Sequence, residues 1–240
     1  MSNLEIIYKD LDMVVINKPA GISVHGGETI RGETLVDFLL EQFPEIKNIG
    51  DPPIYSGQAN IRPGIVHRLD KDTSGVMVIA RNQKSFEILK KIFKERMAEK
   101  KYLALLCGKL KNKFGVINEP IGRLIKNPFK RGPADKKKAI RGAKEAITEY
   151  RVKKEYGEYS IVEFTPKTGR MHQIRVHAKL LGNPIACDKI YGGKSVCCPE
   201  GLNRMFLHAK SLSFSFGEGK RFSFEADLPE DLEATLKLLK

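Results

Sequence analysis

Residues 64 to 75 read Gly-Ile-Val-His-Arg-Leu-Asp-Lys-Asp-Thr-Ser-Gly and carry five ionisable side chains: His67, Arg68, Asp70, Lys71 and Asp72. Ile65-Val66 before them and Val76-Met77-Val78-Ile79-Ala80 after them are apolar runs of the kind that form buried strands. The two runs hold the charged segment beside a core, and Thr73-Ser74-Gly75 lets the chain turn tightly back into the next strand. Asp70 is the sharpest candidate for chemistry, a short carboxylate directly after an apolar residue, with Arg68 two positions earlier. A cation beside it would lower its pKa and keep it a nucleophile or base at neutral pH. Read from chemistry alone, a turn-capping role stands beside that one, and Asp72 or Thr73 could equally supply the cap.

Charge narrows the partner. The chain has 42 Lys and Arg against 29 Asp and Glu, a net +13, which favours a polyanion and above all nucleic acid. No long uncharged apolar run is present to span a bilayer, and Met1 to Asp10 lacks the layout of a signal peptide, so no membrane partner and a cytoplasmic location are expected. The four cysteines, at 107, 187, 197 and 198, lack paired C-x-x-C spacing and read as buried or idle thiols. His172 and His177 lie near Cys187 in sequence without specifying a metal geometry.

Strands are expected at Glu5 to Tyr8 and Met13 to Asn17, broken by Lys18-Pro19-Ala20-Gly21. Leu35, Phe38, Leu39 and Phe43 follow helical spacing behind a Thr34 cap, and 44 to 63 reads as a loop. Asn82 caps a second helix with an apolar stripe of Phe86, Leu89, Phe93 and Met97 opposite Lys84, Lys90, Lys91 and Lys94. Lys101 to Cys107 alternates as a strand. From Lys126 to Lys144 eight basic residues face one acid, interrupted by Gly132 and Pro133, which predicts a mobile basic loop or ribbon suited to phosphate contact. Strands return at Thr148 to Lys153 and Tyr159 to Thr165, then a helix carrying Ile174, Ala178 and Leu181 and stopped by Gly182. Phe206 to Phe216 with Arg221 to Phe224 predicts a hairpin, and a short helix begins near Asp231. With no repeat and no linker, one continuous α+β domain over residues 1–240 is expected.

Several motifs, in order, resemble one family. His67-Arg-Leu-Asp-Lys-Asp-Thr-Ser-Gly75 is similar to the H-R-L-D-x-x-T-S-G motif of the RluA family of pseudouridine synthases. Lys100-Lys-Tyr-Leu-Ala104 with Gly108 resembles its second motif, and Thr168-Gly-Arg-Met-His-Gln-Ile-Arg-Val-His177 its third. Asn17-Lys-Pro-Ala-Gly21, Pro120-Ile-Gly-Arg123 and Asp188-Lys-Ile-Tyr-Gly192 resemble further family blocks, so the likeness covers nearly the whole chain. It departs after Val24-His25, where many relatives have proline and this chain has Gly26-Gly27.

The resemblance implies a mixed, mostly antiparallel sheet with flanking helices and a basic cleft. It implies an enzyme that isomerises uridine in rRNA or tRNA and uses no organic cofactor and no metal; a monomer is the default expectation. By the same resemblance Asp70 is the catalytic carboxylate, Tyr102 stacks on the target base and Arg175 pairs with the carboxylate. Arg68 would enter the space left by the flipped nucleotide, and Ile174 would wall the base. Lys100, Arg170 and Lys18, all inside matching motifs, are expected as further substrate contacts, and His67 as structural. The chain begins in the catalytic region, so no separate N-terminal RNA-binding domain is expected. Two other readings differ in what they require: a non-catalytic RNA binder needs no Asp70, and a hydrolase pairing Asp70 with His67 or His172 would turn over a small substrate without RNA.

Overall fold

A computed structural model of the chain describes residues 4–26, 32–51, 62–134, 140–193 and 196–239. The first elements are β1 (Glu5–Lys9), β2 (Met13–Lys18), α1 (Leu35–Gln42), β3 (Ser74–Ala80) and α2 (Gln83–Lys94). Next come β4 (Glu99–Cys107), β5 (Phe114–Asn118), β6 (Ile121–Leu124), β7 (Asn127–Pro133), β8 (Ile140–Lys144), β9 (Ile147–Tyr156) and β10 (Tyr159–Pro166). The chain closes with α3 (Gln173–Leu180), β11 (Leu207–Phe216), β12 (Lys220–Glu225) and α4 (Glu230–Leu238). The mixed α+β class with a mostly antiparallel sheet is as expected: β1 with β2, β2 with β3, β4 with β10, β9 with β10, β5 with β9, β11 with β12, and β6 with both β7 and β8 all pair antiparallel.

Residues group into two compact units, 1–98 with 209–227 and 99–208 with 228–240. In the first, strand order is β1-β2-β3-β11, with β12 on β11. Met13 to Ile16 and Met77 to Ala80 are wholly buried, which is why these two strands read as unbroken apolar runs rather than alternations. Helix α1 adds Leu35, Val36 and Leu39 to this core, and its start is fixed by Asp37, whose carboxylate accepts the Thr34 N–H (2.7 Å) and hydroxyl (2.8 Å). The cap of α2 is the expected one, Asn82 Oδ1 accepting the Ser85 N–H at 2.8 Å. The stripe is shorter than expected. It runs Phe86, Leu89 and Ile92, the helix stops at Lys94, Arg96 turns left-handed (φ 63°), and Met97 is left 53% exposed.

In the second unit strand order is β4-β10-β9-β5, beside a three-stranded sheet β7-β6-β8. Of the loop or ribbon expected between 126 and 144 the described residues form the ribbon: Lys130 and Arg131 lie on β7 and Arg141 and Lys144 on β8, both strands paired to β6, with Arg123 facing Arg131 on one side and Arg141 on the other. Residues 135–139, with three of the lysines, lie outside the described residues. Helix α3 is buried from Gln173 through Ala178.

The cysteines also need correction. All four are paired, Cys107 with Cys197 and Cys187 with Cys198, at Cα separations of 6.2 and 4.7 Å. Sequence spacing gave no hint, because one partner of the longer bridge is 90 residues away. Among the described residues no group of three or more His, Cys, Asp or Glu is placed to hold a metal, and no helix is long and apolar enough to cross a membrane.

Candidate active site

The Asp70 segment is tied down from below. Leu69 is 5% exposed and anchors it in the first unit, leaving Arg68 exposed and Asp70 half-buried on either side. The Asp70 carbonyl accepts the Thr73 N–H at 3.1 Å, closing a turn over Lys71 and Asp72. Beneath it lies Lys18, fully buried, whose ammonium donates to the carbonyls of Pro19 (2.8 Å), Lys71 (3.1 Å) and Thr73 (3.1 Å). Three donors meet three main-chain acceptors, which is how a buried ammonium becomes tolerable. The Gly21 N–H adds a fourth tie to Lys71 O at 2.9 Å. This geometry gives Lys18 the work of holding the turn, in place of the substrate contact expected of it.

Behind the turn the second residue of β3 must lack a side chain. Gly75 has φ +118°, and a Cβ there would run into the carbonyl of Ala209 on β11. His67 is structural, as expected: its Nε2 accepts the Val78 N–H (3.1 Å) and its ring stacks on Phe93 with centroids 4.2 Å apart. Thr73 Oγ1 is the one buried side-chain polar atom without a hydrogen-bond partner among the described residues.

Arg68 was one cation available to hold Asp70, yet its contact is with His25, Nη1 donating to Nε2 at 3.3 Å. His25 Nδ1 lies 2.7 Å from the Gly26 carbonyl, which fixes Nδ1 as the donor and leaves Nε2 to accept. Burial lowers the His25 pKa, the Gly26 bond opposes this, and Arg62 and Arg68 lower it further, so the neutral form that accepts from Arg68 is favoured. The departure of the sequence after Val24-His25 is thus described only as far as Gly26; Gly27 lies outside the described residues.

In the second unit, β4 presents Lys100 and Tyr102 two residues apart, hence on one face. Tyr102 stands opposite Phe164 of β10 and packs, half-buried, on the apolar cluster that contains Ile174. The next residue of α3, Arg175, is 7% exposed. Its Nε and Nη2 donate to the two carboxylate oxygens of Asp188, each at 2.8 Å, and its guanidinium lies 5.1 Å from the centre of the Tyr191 ring. Asp188 Oδ1 also accepts the N–H groups of Ile190 (2.9 Å) and Tyr191 (3.0 Å). Burial pushes the Asp188 carboxyl up, but Arg175 and these N–H groups outweigh it and hold the pKa below the ordinary carboxylate value.

Helix α3 keeps this orientation through Gln173, whose amide is fully used. Its Oε1 accepts from Thr168 Oγ1 (2.7 Å) and the Arg170 N–H (2.9 Å), while its Nε2 donates to Ile147 O (3.0 Å) and Thr148 Oγ1 (2.8 Å). His177 continues the lattice, bonded to Thr148 Oγ1 (2.8 Å) and the Glu119 carbonyl (3.1 Å). Arg170 itself points elsewhere. It donates to the Glu145 carbonyl at 2.9 Å and, with Arg123, Arg131, Arg141 and Lys144, lines a cavity of about 750 Å³ with no acidic residue in its wall among the described residues.

Within each unit, therefore, expected residues do come together: Lys18 with the Asp70 turn in the first, Tyr102 with Ile174 in the second. Asp188 and Gln173 sit inside the sequence motifs, yet the motifs alone assign them no task. The sign of Asp188 in the sequence is a lone acid ahead of Tyr191-Gly192 in a basic chain.

Residues 12–180 match the family model described as RNA pseudouridylate synthase. The chain is 37% identical over 227 residues to a protein of Borreliella burgdorferi named ribosomal large subunit pseudouridine synthase D, covering 95% of this chain and 66% of that protein. An Aquifex aeolicus protein named as an uncharacterized RNA pseudouridine synthase is 37% identical over 247 residues, covering 99% of this chain and 73% of its own. Among solved structures, human RNA pseudouridylate synthase domain containing 1 superposes with a TM-score of 0.77 at 28% identity, covering 97% of this chain and 87% of that one. Its human counterpart, domain containing 4, gives 0.75 at 26%, covering 98% and 92%.

Proposed function

The chain belongs to the RluA-type RNA pseudouridylate synthase family, and from that premise we propose that it isomerises uridine to pseudouridine in structured RNA. The reaction breaks the bond from C1′ to N1 of uracil, turns the base and joins C1′ to C5, releasing the C5 hydrogen as a proton while N1 takes up a proton in its place. Electrons balance within the nucleotide, so no redox partner or transferred group enters. We assign Asp70 as the catalytic carboxylate, Tyr102 as the face on which the unstacked base rests, and Arg175 as the arginine that pairs with the carboxylate. Arg68, Ile174, Lys100 and Arg170 are assigned to the substrate, and residues 1–240 to one catalytic domain acting as a monomer.

The observation that carries this reading is the buttressing of the Asp70 turn by the buried ammonium of Lys18, which gives one half-buried carboxylate a fixed position. A surface turn that served only to reverse the chain has no need of a buried cation. The cavity lined by five cations in the second unit supports RNA as the partner, since phosphate contacts supply orientation and most of the affinity. Because one similar protein is named for the large ribosomal subunit, rRNA is the first pool to examine and tRNA the second. Incubating each unmodified pool with the protein and analysing its nucleosides tests the reading: pseudouridine is expected from one of them, and its absence from both overturns the proposal.

A further inference from the structure

Cys187 adopts a left-handed backbone conformation, φ 57°, which glycine tolerates and other residues rarely take. A cysteine there needs a use for its side chain, and the structure supplies one in the bridge to Cys198. The Cys187 N–H also donates to the Cys197 carbonyl at 2.8 Å, and Cys197 is bridged to Cys107 at the end of β4. Three chain segments are thereby joined around one point. The very next residue is Asp188, wholly buried, the carboxylate that grips Arg175 through two hydrogen bonds. The bridge from 187 to 198 closes the loop containing Asp188 and Tyr191, the two residues that hold the guanidinium.

We infer that the two disulfides form a covalent staple which positions Asp188, and through it Arg175, so that thiol reduction slows catalysis without weakening RNA binding. The role in catalysis rests on the function proposed above; the staple itself does not. The bridges are within reach of a reductant: Cys198 is exposed, and Cys107 and Cys197 line a cavity of about 540 Å³ together with Lys109 and Glu158. Reduction by a dithiol balances simply. Each S–S bond takes two electrons and two protons to give two thiols, and each dithiol leaves as a cyclic disulfide. Such bridges persist in oxidising compartments and in intracellular proteins of hyperthermophiles.

Purification without reductant, followed by thiol counting in denaturant and peptide mapping, tests the staple directly. No free thiol is expected before reduction and four after it. Four free thiols in the native protein, or one equivalent of zinc held on thiolates, overturns the inference. Trypsin then reads the loop at the exposed Lys189, where cleavage should quicken about tenfold on reduction if the loop opens locally. Unchanged cleavage contradicts the staple. For catalysis, kcat should fall about tenfold on treatment with dithiothreitol while KM for RNA holds within about twofold, as a misplaced arginine predicts. A Cys187→Ser/Cys198→Ser double variant should start at the lower kcat, with dithiothreitol lowering it no further; an undiminished kcat in both the reduced protein and the variant overturns the positioning role. Should the oxidised protein form no pseudouridine at all, the proposed function fails, while thiol count and cleavage still decide the staple.

Discussion

The buried ammonium of Lys18 lies 3.1 Å from the main-chain carbonyl of Thr73, so a side chain leaving β2 supports the turn that leads into β3. β2 and β3 pair with Lys18 opposite Gly75, which places this tie next to the last rung of their ladder. Replacing Lys18 by Met keeps the stem but takes a donor from three carbonyls, of which Lys71 O keeps the Gly21 N–H. Such a loss costs about 2–4 kcal/mol. Chemical denaturation should show that fall, together with loss of activity; a Lys18→Met protein of unchanged stability would mean that the turn stands without its buttress.

Gly75 should tolerate no side chain. Gly75→Ala combines a left-handed φ with a collision against the Ala209 carbonyl, and should cost about 3 kcal/mol or more. Gly217, in the turn between β11 and β12, has φ +65° but open space around it, so Gly217→Ala should cost only about 1–2 kcal/mol. Equal denaturation midpoints for the two variants would remove the close approach of β3 and β11 as the explanation.

Acid should act on the second unit in two stages. Burial lowers the His177 pKa against the opposing Glu119 hydrogen bond, so the unfolded chain takes up this proton first and stability declines as pH falls below about 6.5. Asp188 has a lowered pKa too; its contribution is complete above about pH 4 and is lost as pH falls through the folded value. Urea midpoints measured against pH should flatten between about pH 6.5 and 5 in His177→Gln. A variant that keeps the wild-type slope there would assign the loss to another group.

How much of this was legible in the chain depends on the range of the interactions. β2, β3 and α2 announce themselves because local periodicity and an Asn82 cap are enough to specify them. β7 and β8 stayed open between loop and ribbon, since Lys, Gly and Pro settle neither and only pairing with β6, which no local pattern encodes, makes them strands. Asp70 stood out by its setting, whereas the burial of Lys18 was invisible, because a lysine in a turn normally faces water. The Arg175 partner was missed for the same reason as the longer disulfide: Asp188 and Cys197 meet their partners only once α3 and β4 are in place.

The basic sheet is expected to carry RNA affinity. Arg141 and Lys144, both exposed on β8, line its cavity, and converting both to Gln should weaken binding and reduce the salt slope by about 0.7 to 0.9 for each phosphate no longer neutralised. Binding titrations from low to moderate salt measure this. An unaltered slope would take these two residues out of the interface.

Asp70 carries the central claim, and tritium release tests it most directly. RNA labelled with tritium at C5 of uridine must lose that label when C1′ joins C5. Release by the wild-type protein and none by Asp70→Asn is expected, with RNA binding by the variant retained. Release by Asp70→Asn at the wild-type rate would contradict the assignment of Asp70 as the catalytic carboxylate.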